Sequence, residues 1–216
     1  MGGRCRQAKR PIKPPATRPR SSNRPHGWSK AAHRWASAVD KNESLTLPVL
    51  RGDLATFQPV IAVDSREVRP LTFTRLKSRV VTLPTGDYSL LGCERAAAVE
   101  KKGSLDELIT CLTAERDRFE RELQRMLSYP FRRLVVIGSR AEIELQRYRS
   151  RITPRSVLNS LSAFEVRYDL PICYFRTPEE MARQIESWLF WVARQVLKDA
   201  DGLLKAAPAD ESEEGA

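Results

Sequence analysis

The chain has 216 residues and a mass of 24.6 kDa, enough for one sizeable core and a tail but not for two full domains. It contains no apolar run long enough to cross a bilayer and no signal-peptide pattern, and its four widely spaced cysteines (Cys5, Cys93, Cys111, Cys173) form no CxxC pair. The expectation is a cytoplasmic protein with reduced thiols, nucleoid-associated if prokaryotic, without a membrane, a zinc site or a disulfide framework.

The net charge of +10 is concentrated at one end. Residues 1–41 carry eleven Lys or Arg and one acid, Asp40, while the other 175 residues carry 26 of each sign. Five of the first 25 residues are proline and aliphatic side chains are scarce, so 1–58 are expected to be a disordered basic arm and linker, with a short helix over 27–41. Such an arm, including Arg18, Arg20 and Arg24, suits a salt-sensitive contact with nucleic-acid phosphates. Alternatives are a solubilising leader or a misassigned start, and the prolines argue against a transit peptide.

Order is predicted from Pro59. Val60-Ile61-Ala62-Val63 reads as a buried strand ending at Asp64, and Pro70 fits the first position of a short helix with Leu71, Phe73 and Leu76 inward. Further strands are predicted at Arg79–Leu83, Asp87–Leu91 and Ala96–Lys101, with Pro84-Thr85-Gly86 as a turn. Ser104 with Glu107 reads as a capping box opening one long helix to Pro130. A fifth strand at Leu134–Ile137, a helix from Pro154 to Tyr168, a strand at Ile172–Phe175 and a helix from Thr177-Pro178 to about Leu197 follow. The order of elements gives an α/β protein with a mixed sheet flanked by helices, a domain over 59–198 and an acidic flexible tail over 199–216. On the last helix, Trp188 and Trp191 divide between core and a partner-facing surface.

Chemistry concentrates in a few positions. Asp64 ends the first strand, Asp87 follows a glycine turn, and Glu100 and Lys102 share one strand face because their spacing is two. All can project at one edge of the sheet. Hard divalent cations take one or two carboxylates plus water and substrate phosphate, which Asp87, Glu100 and the Val99 or Lys101 carbonyl would offer, with Asp64 completing the set. Lys102 adds a point cation beside a reacting phosphate. This combination suits phosphodiester hydrolysis, whereas the sequence has no Gly-rich phosphate loop and no Ser/His/Asp set, and His26 and His33 lie in or near the arm. Taken singly these elements have ordinary explanations, such as a turn, a solvated strand edge or a local Arg66–Glu67 pair.

Asp64-x-Arg66-Glu67, Gly86-Asp87 and Glu100-x-Lys102-x-x-x-Asp106 together resemble the nuclease domain of the XPF/MUS81 (ERCC4-type) structure-specific endonucleases. The likeness continues through Asp106-Glu107-Leu108-Ile109, Arg116-x-Arg118-Phe119-x-x-Glu122-Leu123, Val157-Leu158-Asn159-Ser160-Leu161 and Leu170-Pro171-Ile172, about residues 60–197. The resemblance implies a restriction-endonuclease-like fold, magnesium or manganese as cofactor, cleavage of branched DNA such as flaps and forks in repair or recombination, and a homodimer or heterodimer. It makes Asp64, Asp87, Glu100 and Lys102 the catalytic residues, the three acids the metal ligands, Arg66, Glu67 and Asp106 supporting members, and Arg116 and Arg118 DNA or packing contacts. Three departures stand out: Lys101 in place of the usual arginine, Ile137-Gly138 where an acid is common, and no helix-hairpin-helix module, since 198–216 are too few and too acidic. The junction preference that module usually lends is left open, with the basic arm as a partial substitute. A non-catalytic DNA-binding scaffold and a Holliday-junction resolvase-type enzyme are the alternatives.

Overall fold

The computed structural model describes residues 57–206. The arm with Arg18, Arg20 and Arg24, the helix expected at 27–41, most of the linker, and residues 207–216 lie outside the described residues. Within them, six strands form a mixed sheet: β1 (Ile61–Asp64), β2 (Ser78–Val81), β3 (Tyr88–Leu90), β4 (Ala97–Lys102), β5 (Phe131–Ile137) and β6 (Ile172–Phe175), in the spatial order β2-β1-β3-β4-β5-β6. β3 runs antiparallel to both of its neighbours, and every other pairing is parallel. The expected α/β class and mixed sheet are what the chain forms.

Helices cover both faces. Alternation along β4 sends Ala98 to one core, with Leu134 and Val136 of β5, and Ala97 and Val99 to the other. The first core is closed by α1 (Leu105–Leu112), α2 (Arg116–Met126), the short α3 (Arg140–Glu144) and α4 (Pro154–Tyr168). The second is closed by α5 (Pro178–Ala206), through Met181, Ile185, Leu189 and Ala193. Residues of both cores are almost fully removed from water, each large side chain contributing about 1.5–3 kcal/mol of transfer free energy.

Four elements differ from expectation, each for a visible reason. No helix forms over 70–76. The amides of Thr74, Arg75 and Leu76 instead donate to one oxygen of Glu186, a buried residue of α5, at 2.7–3.0 Å, and Leu71 N–H donates to Tyr88 Oη. With its donors satisfied from outside, the segment has no need of a helical ladder, and Leu71, Phe73 and Leu76 still reach the core.

The helix expected from 105 to Pro130 is two. Ser104 caps α1 as predicted, accepting from Glu107 N–H, while Glu107 Oε2 accepts from Gly103 N–H. At the other end Thr113 Oγ1 donates back to Ile109 carbonyl at 2.8 Å, its backbone leaves the helical region, and α2 starts afresh. The break turns Phe119, Leu123 and Met126 onto the sheet.

β5 begins three residues before the expected Leu134, because Arg132 and Arg133 are not solvent residues. Arg132 binds the Tyr129, Tyr168 and Asp169 carbonyls and the Asp169 carboxylate, and Arg133 stacks over the Phe131 and Trp188 rings. α5 continues to Ala206, so the first part of the expected tail is helical. Trp188 packs against Phe131 and Phe175, while Trp191 is 64 % exposed. No helix among the described residues is long and apolar enough to cross a membrane.

Candidate active site

The site forms where β1, β3 and β4 meet. Asp87 N–H donates to Val99 carbonyl and Asp64 N–H to Asp87 carbonyl, so the residue before β3 is clamped between the ends of two strands. Gly86 makes that clamp possible. Its φ of +74° is a left-handed conformation, and a Cβ there would lie 3.2 Å from the Val99 carbonyl oxygen. Because 62 and 64 alternate with the core-facing 61 and 63, and 100 and 102 with 97 and 99, the side chains of Asp64, Glu100 and Lys102 share one face of the sheet.

These residues line a single cleft of about 740 Å³. Its walls include Asp64, Asp87, Glu100 and Lys102 from the sheet, Arg66, Glu67 and Arg69 from the β1–β2 connection, and Arg118 and Glu122 from α2. The four expected catalytic positions are therefore brought together. Asp106 and Arg116 are not among the lining residues.

Glu100 is 4 % exposed. Its Oε1 takes a 2.6 Å bond from Lys102 Nζ, and its buried Oε2 has no hydrogen-bond partner among the described residues. Burial above all, then the Asp87 charge, pushes its carboxyl well above the usual range, against the pull of Lys102. Asp87 accepts Lys101 N–H at 2.7 Å. Burial raises its carboxyl to about 6, opposed by that amide and reinforced by Glu67 and Glu122.

Lys102 lies 5.0 Å from the centre of the Phe119 ring and 4.0 Å from Glu107. Burial disfavours its charge most, but Glu100, together with Cys111 and Asp87, outweighs burial and moves the ammonium upward from 10.5. At neutral pH it is a fixed cation and not a base.

Asp64, also 4 % exposed, is bound on both oxygens. Oδ2 takes Arg66 Nε at 2.8 Å and Nη2 at 2.6 Å; Oδ1 takes the amides of Arg66 at 3.3 Å and Leu83 at 3.5 Å. Burial works against ionisation, but these donors overcome it and hold the carboxyl below the usual aspartate range.

The supporting positions divide. On the opposite face of β4, Lys101 Nζ pairs with Glu67 at 3.1 Å and donates to the Arg69 carbonyl, tying the β1–β2 connection to the site's floor. Lysine at this position therefore makes its contact without a planar fork. Asp106 instead takes the amide and Nε of Arg149, at 2.8 and 3.0 Å, and anchors the segment after α3. Those bonds, the Arg149 amide first, keep its carboxyl low. Arg116 packs α2 on α4: it pairs with Glu120 at 2.8 Å and stacks over Phe164. Of the two arginines considered for DNA, only Arg118 faces the cleft, with its side chain 72 % exposed and 3.3 Å from Glu115.

Glu122 was not expected in the site. It sits four residues after Arg118, one turn further on α2, a spacing that marks a shared helix face but not what the face overlooks.

Among the described residues no three His, Cys, Asp or Glu side chains converge into a ready metal cage. A hard divalent cation needs fewer, since water and substrate phosphate complete its shell. Asp87 and Glu100 fit that requirement: two carboxylates of raised proton affinity, Glu100 in part through the Asp87 charge and bearing a buried unpartnered oxygen, are the oxygens a cation would neutralise. The Lys101 carbonyl points to the same side as its Asp87-bound amide and offers a third oxygen.

A family model described as the ERCC4 domain matches residues 63–187. Among solved structures, the chain is similar to XPF from Aeropyrum pernix, at 24 % identity over 61 % of this chain and 60 % of that one, with a TM-score of 0.47. It is likewise similar to the same protein in complex with DNA, at 25 % identity over 66 % of each chain and the same TM-score. The chain thus spans less than two thirds of the length of these structures. No curated protein matches it.

Proposed function

The chain belongs to the ERCC4 domain family, and from that premise we propose that it is a divalent-cation-dependent DNA endonuclease. The observation that carries the reading is the Asp87–Glu100–Lys102 cluster in a cleft: a buried and a half-buried carboxylate with raised proton affinity, the buried one bearing an unpartnered oxygen, beside a lysine held protonated. Perturbed acids grouped with a cation in a concave site mark a candidate functional site.

Asp87, Glu100 and the Lys101 carbonyl would hold magnesium or manganese. When bound, the ion supplies a water of lowered pKa and stabilises charge on the phosphoryl group. The protein's own contribution is positioning. Gly86 and the Val99 carbonyl fix Asp87, Phe119 and Glu100 fix the Lys102 ammonium, and the Lys101–Glu67 pair fixes the cleft's lip. Lys102 neutralises charge that develops on phosphate oxygens, from a site already ordered before substrate arrives. Arg118 on α2 extends the positive wall towards the strand.

Branched DNA is the proposed substrate and repair or recombination in the cytoplasm the proposed setting, with the cationic arm of residues 1–41 adding non-specific phosphate contacts. An intact acid–lysine set favours an enzyme over a scaffold, which would have no use for closely placed carboxylates that repel. Cleavage of labelled single-stranded, duplex, flap, fork and four-way-junction DNA with magnesium, manganese or EDTA tests the proposal. Cation-dependent incision near a branch is expected. Symmetric paired cuts confined to four-way junctions would mark a resolvase, and binding to every substrate without incision would refute the enzyme.

A further inference from the structure

Asp64 and Glu100 share a cleft and a burial of 4 % exposure, yet their lone pairs are used differently. Glu100 keeps one buried oxygen without a partner among the described residues. Asp64 has none to spare. A carboxylate offers about four acceptor sites, and the four donors on Asp64 are Arg66 Nε and Nη2, Arg66 N–H and Leu83 N–H. It is built to hold an arginine.

The arginine it holds is presented, not buried. Arg66 Nη2 also donates to the Leu83 carbonyl at 2.8 Å, so one edge of the guanidinium is locked to the end of β1 and to the segment after β2. The side chain remains 64 % exposed, lines the same cleft as Asp87, Glu100 and Lys102, and its Nη1 has no partner among the described residues. A planar cation fixed along one edge and open along the other is preorganised for a phosphate oxygen, and loses little rotamer freedom on binding.

We propose that Arg66 contacts a backbone phosphate of the DNA strand in the cleft, and that Asp64 is its positioning residue instead of a cation ligand. The identity of the ligand rests on the nuclease reading above. The assignment departs from the expectation that Asp64 binds metal and gives Arg66 a direct task.

The test uses the full chain. DNA affinity is measured by fluorescence anisotropy on a labelled fork in EDTA across a salt series, and manganese affinity by electron paramagnetic resonance without DNA. Arg66→Gln should bind DNA about tenfold more weakly, as expected for one charge-assisted contact. The slope of log affinity against log salt should fall by about 0.9, one phosphate's worth. Arg66→Lys should retain the slope while binding less tightly. Asp64→Asn should weaken DNA binding less than Arg66→Gln, add nothing to it in the double variant, and keep wild-type manganese affinity.

A wild-type salt slope in Arg66→Gln would overturn the proposal. So would an Asp64→Asn protein that loses manganese affinity as far as Asp87→Asn does. If Asp64→Asn does not fold, the two exposed-site Arg66 variants decide the matter. A wild-type protein that never cuts, but whose DNA binding depends on Arg66 as described, would refute the nuclease and leave this assignment standing. A cutting wild type with an indifferent Arg66 would do the reverse.

Discussion

Replacing Asp87 with asparagine should stabilise the folded protein at neutral pH when divalent cations are absent. The folded carboxyl is pushed up to about 6, against an ordinary 3.8, first by its partial removal from water and then by the charges of Glu67 and Glu122. A raised acid pKa means that the folded state holds its proton more tightly than the unfolded chain, so stability falls as pH rises through that window and the loss is complete above about 6. At 1.36 kcal/mol for each tenfold change in proton affinity, the penalty at pH 7.5 reaches as much as about 3 kcal/mol. Asparagine keeps an oxygen for Lys101 N–H and removes the charge. Urea unfolding of both proteins in EDTA at pH 5 and pH 7.5 is the assay. The variant should be more stable by about 1–3 kcal/mol at pH 7.5, and the gap should shrink at pH 5. Magnesium should then raise the stability of the wild type more than that of the variant, since a ligand of the folded state stabilises by mass action. A variant less stable than wild type at both pH values would refute the reasoning, because it would make Asp87 a structural anchor.

Substitutions at four other positions separate structural from functional roles. Gly86→Ala should lower stability by about 1–3 kcal/mol in thermal unfolding and reduce cleavage as well, since the methyl group meets the Val99 backbone at a positive φ that only glycine adopts freely. Glu186→Ala strips three amides of their acceptor and should cost about 3 kcal/mol or more in urea unfolding, whereas Glu186→Gln, which keeps an oxygen, should lose less. Arg118→Ala should weaken DNA binding and flatten its salt dependence without loss of stability. Arg116→Ala should leave DNA binding unchanged and destabilise the α2–α4 packing by about 1 kcal/mol.

How far the sequence was legible depends on how local each determinant is. Thr153-Pro154 and Thr177-Pro178 begin helices where their caps predict, and β6 spans the predicted Ile172–Phe175, because these signals lie within a few residues. Glu100 and Lys102 were legible as a pair since strand alternation alone puts them on one face. The segment over 70–76 was not, because the carboxylate that replaces its helical hydrogen bonds is Glu186, some 110 residues away. The break at Thr113 depended on whether a threonine would bond backwards, which the neighbouring apolar periodicity conceals.

Within the site, the sequence places Asp64 and suggests a metal ligand, but it does not show the donors around its carboxylate. Only the placement of Leu83 and Arg66 around it reveals an acceptor already filled. Arg116 and Arg118 look alike in sequence, and the helix's rotation against α4 separates them.

The central claim is that Asp87 and Glu100 work with a divalent cation to cut DNA. Single-turnover cleavage of a labelled fork, with protein in excess over its binding constant, compares wild type with Asp87→Asn in magnesium, manganese and EDTA. Removing a ligand should cost more than the ten- to hundredfold typical of an outer-shell partner. Incision by the wild type only with a divalent cation, slowed at least about a hundredfold in a variant that still binds the fork, is the result the account predicts. Equal cutting by the variant, or cutting by the wild type in EDTA, would contradict it.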